Sequence, residues 1–139
     1  MFQRIRIPAT WLGFIAASLA MCGCQTAAKP AHKQSVMAWR PVASWSGHDS
    51  QQTDSFNMDT GQWRIKWETS DQAAPGAKKF QVIVHSTISG RFVSVAVDHP
   101  STGSGVSYMA EDPREFFLDV ESSGLDWKVA VEEGSVVEQ

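Results

Sequence analysis

Five stretches of this chain alternate apolar and polar residues with a period of two. In Gln62 to Glu68, Trp63, Ile65 and Trp67 share one side, with Arg64, Lys66 and Glu68 on the other. Phe80 to Thr87 sets Phe80, Val82 and Val84 together. Arg91 to Asp98 does so with Val93, Val95 and Val97. Glu115 to Glu121 does so with Phe116, Leu118 and Val120, and Asp126 to Glu132 with Trp127, Val129 and Val131. Side chains leave an extended strand on alternate faces, so this period specifies strands with one face in a core. A helix needs a period of about 3.6, and no run after residue 37 has it. Less regular stretches, Val42 to Ser46, Thr53 to Met58 and Gly105 to Ala110, are further strand candidates.

Turn-forming residues separate these runs. They include Asp59-Thr60-Gly61, Ala74-Pro75-Gly76, Asp112-Pro113 and Ser122-Ser123-Gly124. Ser89-Gly90 sits between two alternating runs and predicts a tight hairpin. Ser101-Thr102-Gly103-Ser104-Gly105 reads as one long flexible connection. About eight short strands at roughly 8–12-residue spacing predict an all-β fold. The expected architecture is an antiparallel β-sandwich, with jelly-roll and Ig-like strand orders both open.

The beginning of the chain reads differently. Arg4 and Arg6 precede an uncharged apolar run from Ala9 to Gly23. A short cationic region followed by an apolar core and small residues is the pattern of a secretory signal peptide. A retained membrane helix is the competing reading, because about 20 apolar residues can span a bilayer. Met21-Cys22-Gly23-Cys24 resembles the lipobox of bacterial lipoproteins. That resemblance implies cleavage before Cys24 and lipidation of Cys24 at the mature N-terminus. Met21 and Cys22 depart from the usual Leu and the usual Ala or Ser. Gln25, rather than Asp, follows Cys24 and leans by resemblance toward an outer membrane where one exists.

Cleavage there would shorten the chain from 139 to 116 residues and shift its net charge from −3 to −5. Only one cysteine would remain, so no intramolecular disulfide is expected. Residues 24–38 carry Lys29, Pro30 and Lys33 without hydrophobic period and read as a flexible tether. Residues 39–133 are then the folded domain and 134–139 an acidic tail. Glu111 to Gln139 carries nine acidic and two basic residues, and no basic stripe interleaved with aromatics argues for nucleic acid.

Trp45-Ser46-Gly47, Thr53, Phe56, Trp63 to Glu68, Phe80 to Val84, Gly103-Ser104-Gly105, Phe116 to Val120 and Trp127 to Val131 follow one another in an order that resembles small exported bacterial lipoproteins. The resemblance spans about residues 39–133. It implies a compact β-sandwich and carries over no catalytic residue.

Candidate chemistry is sparse. Trp63, Trp67 and Trp127 alternate in phase with aliphatic residues and are expected in the core. Trp45 and Phe117 are less constrained by phase and are the candidate ligand-binding aromatics, while Trp39 is placed to cover a sheet edge. His48-Asp49 and Asp98-His99 offer imidazole and carboxylate groups that suit Zn²⁺, but no spaced ligand set accompanies them. His85, opposite the Val82 and Val84 face, is expected at the surface. Asp54, Asp59, Glu111 and Asp112 lack the 12-residue calcium-loop pattern. Thr102-Gly103-Ser104-Gly105 lacks the helix and Lys that complete a phosphate loop. No Gly-x-Ser-x-Gly elbow is present. Neither a catalytic set, a metal site nor a cofactor is therefore expected. The expected function is a lipid-anchored, non-catalytic structural or protein-interaction module of the cell envelope. A module binding envelope polysaccharide or another ligand is the alternative.

Overall fold

The computed structural model describes residues 29–139. The signal segment, Cys24 and the first part of the tether lie outside the described residues. Among the described residues, nine antiparallel strands run in the order β1 (Ser35–Gly47), β2 (Gln51–Gln52), β3 (Phe56–Asn57), β4 (Gln62–Asp71), β5 (Lys79–Ser86), β6 (Phe92–His99), β7 (Gly103–Ala110), β8 (Glu115–Ser123) and β9 (Leu125–Glu138). They form two sheets, one ordered β1-β9-β4-β7 and the other β2-β8-β5-β6 with β3 also on β8.

The pairings nest around a single turn. Ser89 and Gly90 both have positive φ, at 58° and 62°, and the Arg91 amide donates to the Ile88 carbonyl at 3.3 Å. Positive φ at both central residues is the type I′ geometry that suits the twist of a hairpin. Outward from this turn, β5 pairs β6, β4 pairs β7, β2 and β3 pair β8, and β1 pairs β9. Successive pairs fall in alternate sheets, so the chain is one long two-stranded ribbon rolled on itself. Contacts β5–β8 and β4–β9 complete the sheets. With β2 and β3 taken as one interrupted strand, this is the strand order of a jelly roll, which decides between the two expected orders.

Thr53 causes the interruption. Its amide donates to the Leu118 carbonyl at 2.9 Å, and its hydroxyl accepts the Leu118 amide at 3.0 Å. A side-chain oxygen thus replaces a ladder carbonyl, and Thr53 is buried in doing so.

The core lies between the sheets. Trp63, Ile65, Phe80, Val82, Val84, Phe116, Leu118, Val120, Trp127, Val129 and Val131 are all fully or nearly fully buried. Each large apolar side chain so placed contributes on the order of 1.5–3 kcal/mol. These are the inward faces expected from alternation, with one exception. Val95 is exposed, while Val93 and Ala96 pack against the core and Val97 enters it. The register of β5 against β6 slips between Val82 and Ile83 and again between Val84 and His85. Each slip adds a residue to β6, and an extra residue reverses which side chains face inward.

Both edges of the expected domain also move. β1 begins at Ser35, so the last residues assigned to the tether are strand. β9 runs to Glu138, so the expected acidic tail is strand as well. The two segments pair with each other, Ser35 opposite Glu138 through Trp39 opposite Gly134. Gly103 to Gly105, expected in a loop, open β7. A Cβ on Gly105 would come within 2.9 Å of the Trp67 indole, and one on Gly103 within 2.8 Å of the His99 ring. These glycines make room for rings rather than for a turn.

Candidate functional site

The outer face of the β1-β9-β4-β7 sheet carries the site. Register places its outward side chains in transverse rows. Ser44, Ala130, Lys66 and Val106 make one ridge, and Ser46, Lys128, Glu68 and Ser104 make the next. Between these ridges lies a depression of about 720 Å³, floored by Trp45, Val129, Trp67 and Gly105. A second depression of about 590 Å³ lies beyond the Ser46–Lys128–Glu68 ridge and reaches His48, Ser70 and Asp126. The two are parallel grooves running across the strands, separated by one ridge.

Electrostatics divide this face. Arg64 and Lys66 both engage Glu132, Lys66 at 3.5 Å. Burial pushes the Glu132 carboxyl up, but Arg64 and Lys66 outweigh it and hold it below the ordinary glutamate range. His48 Nδ1 lies 2.7 Å from Asp126 Oδ1. The hydrogen bond to Asp126 raises the His48 pKa, and the same bond, with Gln72, lowers that of Asp126. Among the described residues, Lys128 and Glu68 on the central ridge make no ion pair.

Trp39 stands two rows beyond the ridge of Ser44, Ala130, Lys66 and Val106. It is half-buried on the outer face, where Gly134 leaves space for it; a Cβ there would meet its ring at 3.0 Å. The Arg64 guanidinium lies 4.2 Å from the Trp39 ring centroid, and the Tyr108 ring, on edge strand β7 of the same face, lies 5.8 Å from it. Trp39 therefore lies across the sheet rather than over its edge.

The two sequence-selected aromatics take different places. Trp45 contributes to the floor of the larger groove, but its ring turns into the sandwich, 5.6 Å from Phe56. Trp67 likewise points inward, 5.7 Å from Phe80 and 5.0 Å from His99. Phe117 lies on the outer face of the opposite sheet, half-buried and stacked on His85. Phe117 is out of phase with Phe116, Leu118 and Val120, which accounts for its outward side but not for its partner. Missed by sequence reasoning were Lys128, Glu68 and the serines, whose only signal was their place on the polar side of strands.

The histidine–acid pairs take separate partners. His48 holds Asp126, whereas His99 packs on Trp67 with its Nε2 3.2 Å from the Thr102 carbonyl. Glu111 is held by Arg114 at 2.9 Å, and Asp59 lies 3.6 Å from Arg40. Among the described residues, no cluster of three or more His, Cys, Asp or Glu is arranged to hold a metal ion. The sequence matches no protein-family model and shows no significant similarity to a curated protein.

Proposed function

We propose that this chain is a lipid-anchored, non-catalytic interaction module of the cell envelope, and that the grooved outer face of the β1-β9-β4-β7 sheet is its contact surface. One observation carries the second part. Among the described residues, the central ridge presents Lys128 and Glu68 without ion-pair partners between two open grooves, while the flanking carboxylates Glu132 and Asp126 are already engaged. Unpaired charges on a rigid sheet can pair with a partner without first breaking an internal bond. The anchor part rests on the apolar leader and on Gly23-Cys24. Cys24 supplies the membrane attachment, outer membrane where one exists, and the domain stands outside the cytoplasm.

The test has two arms. Cys24→Ala should remove the acyl mass and release the chain from the membrane fraction; a full-length, membrane-bound variant would replace the lipid with a retained helix. Lys128→Glu in the otherwise intact chain should abolish co-purification of envelope components without changing the far-ultraviolet spectrum.

A second reading is a polysaccharide-binding module. It is favoured by the hydroxyls of Ser44, Ser46, Ser70 and Ser104 along the grooves, which match a hydroxyl-rich polymer. Binding of envelope glycans that weakens with Ser46→Ala and Ser104→Ala would select this reading over a protein partner.

A further inference from the structure

The β1-β9 pairing runs past the rest of its sheet. β4 meets β9 only from Leu125 to Glu133, whereas β1 follows β9 to Glu138. The Gln139 amide then donates to the Gln34 carbonyl at 3.1 Å. Among the described residues, 34–39 and 134–139 thus form a two-stranded ribbon with no third strand. Met37 and Val136 lie on one side of it and Val36 and Val137 on the other. Val136 is 66% exposed, and the other three are 37–40% exposed. Apolar side chains on both faces of a free ribbon have no counterpart in the sandwich below.

We propose that this ribbon docks on the lipid bilayer that carries the anchor, setting the domain upright with its grooves away from the surface. The inference uses the anchor reading for the position of the membrane. Three observations select lipid as the occupant.

The first is where the chain outside the described fold enters. β1 starts at Ser35, 11 residues after Cys24, a length that spans at most about 40 Å. The anchored end of the domain is therefore the ribbon end.

The second is a gradient along the outer face. Met37, Val136, Trp39 and Tyr108 occupy the ribbon end, with Tyr108 68% exposed. Lys128 and Asp126 occupy the other end of β9, eight and ten residues from Val136, or about 26 and 33 Å along the strand. Trp and Tyr between an apolar tip and a polar body match the aromatic belt at a membrane interface.

The third is charge. Every carboxylate of β9 beyond Ala130 is neutralised: Glu132 by Arg64, Glu133 by Arg40 and Glu138 by Lys33 at 3.4 Å. Paired carboxylates repel anionic headgroups less than free ones.

A second copy fits less well. A stable dimer buries roughly 800 Å² per partner, more than four partly covered side chains offer. Lipid contact that supplements an anchor needs no such area.

The experiment uses the full chain carrying Trp11→Phe, which removes the tryptophan of the leader. It is reconstituted into phosphatidylethanolamine and phosphatidylglycerol vesicles whose acyl chains are brominated near the glycerol. Bromine should quench part of the tryptophan emission, and that part should vanish with Trp39→Phe and with Val136→Glu. Val136 is mostly exposed, so its substitution leaves the core intact, which circular dichroism checks. Equal quenching in all three chains, or none in the first, overturns the proposal. So does a cross-linked dimer that Val136→Glu abolishes while quenching is unchanged, since the ribbon would then join two copies. The mass of Cys24 reads the anchor separately, so absence of the acyl group overturns the anchor and leaves the quenching result to decide the ribbon.

Discussion

The amide of Thr60 donates to the carboxylate of Glu133 at 2.6 Å, tying the β3–β4 turn to strand β9. The Asp59 amide donates to the same oxygen, also at 2.6 Å, and Arg40 closes on the other. Glu133 is 3% exposed, so a residue expected at the border of an acidic tail is a buried strut. Burial pushes its carboxyl up, but the Thr60 amide, Arg40 and the Asp59 amide together hold it below the ordinary glutamate value.

Replacing this strut should be costly. Glu133→Ala leaves two amides without an acceptor and is expected to lower stability by about 2–4 kcal/mol. Glu133→Gln keeps one acceptor oxygen and should cost less. Urea unfolding of both variants measures the difference, and equal losses would mean the amides do not depend on this oxygen.

The same carboxylate predicts an acid limit. A carboxyl whose native pKa is lowered stabilises the fold above its unfolded value, and this contribution is lost as pH falls toward the native value. For Glu133 and Glu132 the loss should begin near 4.5 and deepen on further acidification. His48 has the opposite sign: its raised pKa contributes below 6.5 and fades as pH rises through the native value. Melting temperature against pH should fall steeply on the acid side in the native chain and less so in Glu133→Gln.

Two tryptophans of equal burial should differ. Trp127 donates its indole N–H to the Asp49 carbonyl at 3.0 Å, while the Trp63 N–H is buried without a partner among the described residues. Trp127→Phe removes a hydrogen bond as well as volume, whereas Trp63→Phe removes volume and an unpaired donor. Trp127→Phe is expected to be the more destabilising by about 1 kcal/mol. Calorimetric unfolding of the pair checks the order.

Thr53 tests the interrupted strand. Thr53→Val keeps the shape but removes the acceptor for the Leu118 amide, at an expected cost of about 1–3 kcal/mol. Thr53→Ser keeps the oxygen and should lose less. Hydrogen exchange at Leu118 should accelerate in the valine variant alone.

Much of the fold was legible along the chain. Trp63, Ile65, Phe80, Leu118 and Val131 could be assigned inward because each strand's own alternation reports its faces. Ser89-Gly90 could be placed as the hairpin because a type I′ turn needs residues that tolerate positive φ. Val95 could not be read correctly, because its orientation depends on slips against β5. Gly103 and Gly105 could not be read either, because a glycine that admits a neighbour's ring looks the same as one that makes a turn. The candidate site was harder still. Trp45 and Phe117 were visible as aromatics, but the ridge of Ser46, Lys128 and Glu68 comes from three strands.

Local pattern was enough to establish strands, the central turn and most of the core, because those depend on residues a few positions apart. Strand order, the ribbon and the buried charge depended on partners brought together by folding. Arg40 and Glu133 are 93 positions apart, and nothing near either residue encodes the other. The same separation turned an expected tether and an expected acidic tail into one paired ribbon. Each segment alone looks polar and irregular, and only the ladder between them satisfies their backbone groups.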